Sequence, residues 1–238
     1  MFGKKKKAPK ISQEDLARFG KRTMHRASKD IYNEESGKAP QAMKSKLTIG
    51  VAGVMPRIGT TTQAIQLALY LFYKDRDVAY VEMNNHGFVR LLERIYSGVK
   101  KDNRGNVIYR RLTFVPRDNI ASVLNDDYDA LVFDYGSYDE EDFDLTGFSE
   151  RNIQVFVCGN KPEENPKTIR MLIDTDLPYC SYIFTSVSLG DQDEALAIMD
   201  DRKGSTFFAE YCPDPFETNR PMNGVYKQIV PDPQQEEE

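Results

Sequence analysis

Short apolar runs alternate with longer segments of helical periodicity along most of the chain. The stretch "KLTIGVAGV", residues 46–54, is apolar on both faces, rich in β-branched residues and interrupted by glycine, which is typical of a buried strand in a parallel sheet. The next segment places Ile65, Leu69 and Phe72 at helical spacing and predicts a well-buried helix. Later strand patterns are "DVAYVEM", "VIYRRLTFVP" (one or two strands), "YDALVFDYG", "NIQVFVCGN", "YCSYIFTSV" and "STFFAEYC". Later helix patterns are "GFVRLLERIYSGV", "NIASVLND", "NPKTIRMLID" and "DQDEALAIMDDR".

This alternation of strand and helix predicts an α/β fold. Each strand–helix–strand step favours a right-handed crossover, so we expect a doubly wound, mainly parallel sheet of about seven or eight strands with helices on both faces. Ligands of such sheets bind at the carboxyl ends of the strands. The loops that follow the predicted strands are therefore the place to look for chemistry.

Charge divides the chain of 238 residues into unequal parts. Residues 1–46 hold 13 Lys and Arg against 5 Asp and Glu, a net charge of +8, whereas the remainder holds 19 against 32, a net of -13. We interpret residues 1–45 as a basic, disordered arm, residues 46–230 as a P-loop NTPase-like domain, and residues 231–238 as an acidic tail. With 40% hydrophobic residues the chain has enough material for a core.

Cysteine and histidine usage limits the candidate chemistry. The three cysteines, Cys158, Cys180 and Cys212, are odd in number and widely spaced, which indicates buried thiols in a reducing compartment and not a disulfide or zinc framework. Two histidines leave little material for a histidine metal site or a serine–histidine mechanism. No apolar run is long enough for a membrane span, so we expect a cytoplasmic protein.

The segment "GVMPRIGTTTQ", residues 53–63, joins the first strand to the first helix and looks like a phosphate loop without its lysine. The usual pattern G-x-x-x-x-G-K-[ST] places backbone amides and a lysine around phosphates, and a hydroxyl on Mg²⁺. No lysine occurs from residue 47 to 73, and Arg57 is the only cation of the loop. A plain glycine-bounded turn with a threonine cap is the alternative interpretation.

Four segments resemble, in order, motifs of the ParA/MinD family of P-loop ATPases. The stretch "GTTTQAIQLA" is similar to that family's deviant phosphate loop, K-G-G-x-G-K-T-T-x-x-x-N-L-A. The stretch "VAYVEMN" resembles its second strand, with Glu82 and Asn84 where two aspartates fall, and "YDALVFDYG" resembles its Walker B strand, ending at Asp134. The stretch "YCPDPF" resembles the loop beside the adenine. The resemblance spans roughly residues 46–216, and the lysine-poor branch of this family includes the TadZ/CpaE-like proteins.

The resemblance implies a site for ATP or ADP with Mg²⁺. Its candidate nucleotide-binding residues are Gly53, Arg57, Gly59, Thr60, Thr61, Thr62, Pro213 and Asp214; its candidate metal ligands are Thr61 and Asp134; and its candidate catalytic residues are Glu82 and Asp134. The family's phosphate-binding lysines have no counterpart. Because phosphoryl transfer depends on positive charge around the phosphates, their loss should remove several kcal/mol of transition-state stabilisation. Arg57 would restore part of it as a bidentate ligand.

Two classes of function follow, and the missing lysines favour the first. One is a degenerate family member, a nucleotide-binding or nucleotide-sensing scaffold or localisation factor in a membrane-associated assembly of secretion, pilus or conjugation type. The other is an active ATPase in which Arg57 substitutes for the lysine. A sequence-independent DNA-binding partition protein is a third reading, disfavoured because the folded part is acidic and phosphate contacts require positive charge.

Partners are suggested by charge and by the resemblance, which implies a homodimer. The acidic segment Asp139–Asp144 is either a solvated loop or a docking surface for a basic protein partner. Lys4–Lys10 suits an anionic membrane surface, and nucleic acid would satisfy the same charges. The stretch "NKP" at Asn160–Pro162 invites comparison with the guanine motif N-K-x-D, which we set aside because no aspartate follows Pro162.

The domain boundaries predict the outcome of limited proteolysis. Loosely held termini are preferred cleavage sites, so a protease should trim the arm and leave a stable core of about 190 residues. Mass spectrometry of the resistant fragment checks this. A resistant product that retains residues 1–45 would contradict the boundary.

The basic arm predicts weak, salt-sensitive binding to anionic vesicles. Residues 1–10 carry five lysines beside Phe2, each contributing about 1 kcal/mol near an anionic surface, and one phenylalanine is too little apolar area for firm anchoring. Sedimentation with vesicles at low salt should remove more of the full chain than of a chain lacking residues 1–45. Equal sedimentation of the two would exclude membrane binding by the arm.

Overall fold

A computed structural model describes residues 46–230, and nine strands in this region form one sheet. The strands are β1 (Leu47–Gly53), β2 (Val78–Glu82), β3 (Lys100–Lys101), β4 (Val107–Tyr109), β5 (Leu112–Val115), β6 (Ala130–Ser137), β7 (Ile153–Cys158), β8 (Ser181–Phe184) and β9 (Thr206–Phe208). Their order across the sheet is β3-β4-β5-β2-β6-β1-β7-β8-β9. The pairs from β5 to β9 are parallel, whereas β3–β4 and β4–β5 are antiparallel.

The described region contains seven α-helices, of which six lie between strands and the last follows β9. They are α1 (Thr60–Phe72), α2 (Phe88–Ile95), α3 (Ala121–Leu124), α4 (Leu145–Ser149), α5 (Asn165–Asp174), α6 (Gln192–Met199) and α7 (Asn223–Ile229). None of the helices between residues 46 and 230 has the length and apolar character needed to cross a bilayer. The basic arm and the acidic tail lie outside the described residues, so the domain boundaries stay predictions.

The core is centred on β1, β2 and β6, with α1 packed against them. Every residue of β2 and of β6 is buried, as expected for strands with neighbours on both sides and helices above them. Ten of the thirteen residues of α1 are buried, including Gln63 and Gln66. The side chain of Gln63 accepts a hydrogen bond of 2.9 Å from the Tyr226 hydroxyl, so the buried amide is satisfied.

The predicted fold class is confirmed, and two details differ from the expectation. The segment "VIYRRLTFVP" forms a hairpin of β4 and β5, because Arg110 and Arg111 both adopt positive φ angles, 45° and 75°, and turn the chain back. The strand β3 and the helices α4 and α7 were not predicted, since each is short and has a weak pattern. Cys158 and Cys180 are buried free thiols, and Cys212 is half-buried and also free.

Candidate phosphate-binding site

The loop of residues 54–59, between β1 and α1, is shaped by two glycines and a strained arginine. A Cβ atom at Gly53 would lie 2.2 Å from the Oγ1 of Thr60, so glycine is needed for the first turn of α1 to approach the strand. Gly59 adopts a φ of 102° directly before α1, which glycine tolerates. Arg57 has a φ of 65°, which in a residue with a Cβ costs on the order of 1 kcal/mol or more. Strain of this kind at the end of a central strand points to a functional loop.

The amino-terminal end of α1 is open to an anion. No side chain caps the helix, its first turn contains no acidic residue, and its first bond to the loop runs from Gln63 N to Gly59 O at 3.0 Å. The first amides of a helix have no partner within it and carry a partial positive charge. Thr61 and Thr62 are half-buried in this turn, and the hydroxyl of Thr185, beyond β8, anchors the loop by donating to Ile58 O at 2.8 Å.

Cationic side chains are scarce around this open helix end. Arg57 is exposed and takes part in none of the ion pairs found among residues 46–230. Lys161, which follows the adjacent strand β7, is paired with Glu164 at 3.2 Å. The loop therefore offers backbone amides and one free guanidinium, without a lysine.

Asp134 lies at the carboxyl-terminal part of β6 and is fully buried. Its Oδ2 accepts hydrogen bonds from the hydroxyls of Thr61, at 2.6 Å, and Tyr80, at 2.7 Å. Its Oδ1 accepts from Gly136 N at 2.9 Å. The structure thus brings together Thr61 and Asp134, which the sequence analysis selected as metal ligands. It also places a further hydrogen-bond donor, Tyr80, on the carboxylate of Asp134.

Tyr80 is a buried donor that the sequence analysis missed. Burial first, and then the neighbouring carboxylate of Asp134, hold the pKa of Tyr80 well above its ordinary value. The hydroxyl therefore keeps its proton and donates to Asp134. A tyrosine in the apolar strand "VAYVE" is ordinary core material, so no sequence signal marks it.

These contacts do not fit a magnesium site of the usual kind. An ionised carboxylate has about four acceptor positions, and three of those on Asp134 are filled, including both on the oxygen that faces Thr61. The assignment of Mg²⁺ to Thr61 and Asp134 stays a prediction without support from this geometry.

Glu82 is used to cap a helix. Its carboxylate is buried and accepts hydrogen bonds from the backbone N–H groups of Phe88, at 2.5 Å, and Val89, at 3.3 Å, at the start of α2. Burial raises the pKa of Glu82, and the two backbone hydrogen bonds oppose this rise. The amides of α2 occupy two of the roughly four acceptor positions of this carboxylate, and the catalytic role expected of Glu82 stays an untested prediction.

Solved structures share this arrangement of strands and helices. The MinD cell division protein of Aquifex aeolicus matches with a TM-score of 0.51 at 16% identity, over 79% of this chain and 92% of that chain. The MinC:MinD complex of the same organism matches with a TM-score of 0.51 at 15% identity, over 70% and 82%. A putative plasmid partition protein of Borrelia burgdorferi, bound to AMPPNP, matches with a TM-score of 0.50 at 15% identity, over 77% and 96%.

The chain has the ParA/MinD-like fold. No protein-family model matches it, and no curated protein sequence matches it either. At identities of 15% and 16% the likeness shows the fold alone. Membership of the lysine-lacking TadZ/CpaE-like branch stays a prediction.

Pro213 and Asp214 lie away from the phosphate loop of this ParA/MinD-like fold. Asp214 pairs with Arg110 at 3.1 Å and accepts from Phe216 N at 2.9 Å. Arg110 precedes β5 and so stands at the amino-terminal end of the parallel strands, opposite the loop that follows β1. Within the described region no hydrogen bond or ion pair joins Pro213 or Asp214 to the loop, and their assignment to a nucleotide stays an untested prediction.

Phe216 explains why this segment is held there. Its buried ring is in contact with four aromatic rings, and Gln66 of α1 donates to Pro215 O and Glu217 O at 2.6 and 2.7 Å. The four rings belong to Phe88, Tyr96, Tyr109 and Phe114. Aromatic packing and a buried amide therefore fix the segment in a structural role.

The acidic segment Asp139–Asp144 is mostly occupied by partners within the chain. Asp139 pairs with Lys167 at 2.8 Å and Glu140 with His86 at 2.7 Å. Asp144 accepts from Gly147 N at 2.8 Å and caps α4, and Asp142 contacts Asn85 and Arg117. The docking of a basic partner on this segment remains an untested prediction. To bind such a partner, most of the carboxylates would first have to release the internal contacts described above.

We predict that Glu82→Gln becomes more stable relative to the wild type as the pH increases from about 4 to 7. The raised pKa means that the folded chain holds this proton more tightly than the unfolded chain. The stabilising contribution of the protonated carboxyl is therefore complete below the unfolded-state pKa and is lost as the pH rises through the folded-state pKa. Glutamine does not titrate and keeps one acceptor for α2.

Urea unfolding of both chains at several pH values measures the difference in the free energy of unfolding. Glu82→Ala is the control for capping, and it should be less stable than Glu82→Gln by about 1 kcal/mol. A free energy of unfolding of Glu82→Gln that falls relative to that of the wild type as the pH rises would contradict the assigned pKa direction.

Proposed function

We propose that the chain binds a phosphate-bearing anion, a nucleotide, at the loop of residues 53–62 and acts as a nucleotide-binding or nucleotide-sensing scaffold with little or no ATP hydrolysis. The observation that carries this proposal is the start of α1, which has no side-chain cap and no acidic residue in its own first turn and which follows a glycine-shaped loop without a lysine.

Anion binding is supported by the backbone. The amides at the start of α1 present partial positive charge irrespective of side chains, and α1 has 13 residues, held rigidly in the core. Gly53 and Gly59 allow close approach of the backbone. A related fold, that of the Borrelia burgdorferi partition protein, was solved with AMPPNP bound, which supports a nucleotide as the anion.

Slow or absent hydrolysis is supported by what the site lacks. Transfer of a phosphoryl group needs fixed positive charge and a positioned nucleophile. No lysine is present from residue 47 to 73, and the carboxylate of Glu82 is committed to α2. The remaining donors hold an anion in place and do little to stabilise a transition state.

A second candidate function, an active ATPase, is favoured by one observation. Arg57 is exposed, is free of ion pairs within residues 46–230, and has a strained φ of 65° in the middle of the loop. A guanidinium can bind phosphate oxygens in a bidentate manner and replace part of the lysine charge. Arg57 is therefore the residue whose removal separates the two functions.

The wider biological setting rests on the sequence alone, through the family resemblance and the charge of the basic arm. A homodimer, a peripheral membrane location and a role in a secretion, pilus or conjugation machine remain proposals of that kind. Non-specific DNA binding is opposed by the net charge of -13 that residues 47–238 carry, because DNA affinity comes from neutralised phosphates.

Calorimetry and a hydrolysis assay on the full chain test the proposal. We expect weak binding of ATP and ADP and a turnover far below the roughly 1 per second of slow working enzymes. Arg57→Ala should weaken binding about tenfold, the effect of losing one charge-assisted hydrogen bond of about 1.5 kcal/mol.

Arg111→Ala is a matched control for this variant. Arg111 is also an exposed arginine with a positive φ, 75°, but it lies in the hairpin between β4 and β5, so its replacement should leave binding unchanged. No binding of ATP, ADP or phosphate at millimolar concentration would reduce the loop to a turn. Ordinary hydrolysis rates that survive Arg57→Ala would refute our account of the missing lysine.

A further inference from the structure

The carboxylate of Asp134 is satisfied without any cation. It is fully buried, and it takes part in no ion pair among the described residues. Its three hydrogen bonds come from three separate segments: Thr61 in α1, Tyr80 in β2 and the amide of Gly136 in its own strand. A buried charge requires such compensation, and here the protein supplies all of it.

The hydroxyl of Tyr80 is held firmly in place. The Tyr80 ring is fully buried between the rings of Phe88, with centroids 6.0 Å apart, and Phe114, with centroids 5.2 Å apart. Rings packed in this way are confined to one orientation, so the hydroxyl has no alternative partner in water. Its 2.7 Å bond to Asp134 Oδ2 is therefore favoured by the packing of the ring.

A magnesium ion at a phosphate site usually keeps several water molecules and is held through one or two carboxylates and the phosphates. Each such water is an O–H donor that needs an acceptor position on the carboxylate. On Asp134 the oxygen that faces Thr61 already accepts two O–H donors. The Tyr80 hydroxyl is chemically equivalent to the donor that a magnesium-bound water would provide.

We infer that Tyr80 makes anion binding at this loop independent of Mg²⁺, because its hydroxyl fills the position on Asp134 that a magnesium-bound water would occupy. The inference rests on the proposed function and specifies the ligand of that site as a metal-free nucleotide or phosphate. Asp134 then has a structural role, because its hydrogen bonds link α1, β2 and β6. Asn84 adds a further hydrogen bond by donating to the backbone oxygen of Asp134 at 3.1 Å.

The test is calorimetric binding of ADP to the full chain, with excess Mg²⁺ and with a chelator. Mg²⁺ should tighten binding to the wild type by no more than about twofold. Tyr80→Phe keeps the ring and vacates one acceptor position on Asp134, so Mg²⁺ should tighten ADP binding to this variant by fivefold or more.

Tyr226→Phe is the matched control. Tyr226 is equally buried, and its hydroxyl donates to Gln63 of the same helix α1 at 2.9 Å. Its loss imposes a similar structural penalty without touching Asp134. This variant should show the wild-type indifference to Mg²⁺, and circular dichroism verifies that each variant is folded.

Three outcomes would overturn the inference. If Mg²⁺ tightened ADP binding to the wild type fivefold, that result by itself would overturn the inference, even if Tyr80→Phe failed to fold. The proposed function would not be affected by it. The inference would also be overturned, and the proposed function kept, if folded Tyr80→Phe bound ADP with an affinity that Mg²⁺ did not change. If neither ADP nor inorganic phosphate binds to the wild type under any condition, the proposed function and this inference fail together.

Discussion

Asp134 is a carboxylate that water cannot reach, so it has to be surrounded by hydrogen-bond donors, and several elements of the structure are positioned to provide them. An unpaired buried charge would be far more costly than the net stability of a domain allows. Thr61 fixes the start of α1 against β6, and Tyr80 fixes β2 against β6. The loop of residues 54–59 joins α1 at Thr60, one residue before Thr61. The bond from Thr61 to Asp134 therefore helps to fix the position at which this loop ends.

The carboxylates of Asp134 and Glu82 both accept hydrogen bonds that connect elements of the fold. Asp134 joins three elements, and Glu82 caps α2 through Phe88 N and Val89 N. The same positions would serve a metal and a water molecule in the enzymes that the sequence resembles. The proposal of an anion-binding loop with little hydrolysis rests on this contrast between free helix amides and carboxylates that bind other parts of the chain.

The strands could be predicted because β1, β2 and β6 are buried on both faces and therefore consist of continuous apolar runs. The helix α1 could be predicted because its apolar residues recur at helical spacing. The contacts of the segment "YCPDPF" could not be predicted from its resemblance to a motif. Its position depends on the Arg110–Asp214 pair and on the rings around Phe216, which come from distant parts of the chain. The same is true of Asp139 and Lys167, whose pairing turns part of an apparent docking surface into an internal contact.

The sequence by itself determined the alternation of strands and helices, the glycine-shaped loop and the absence of its lysine, because these depend on local periodicity and on residue identity. Through the resemblance of their segments to a phosphate loop and a Walker B strand, it also selected Thr61 and Asp134 as a pair, and the two side chains are in contact. Only the tertiary structure decided what each carboxylate binds. A strand pattern fixes the face on which Tyr80 or Glu82 lies, but the partner on that face is chosen by packing between segments far apart in the chain.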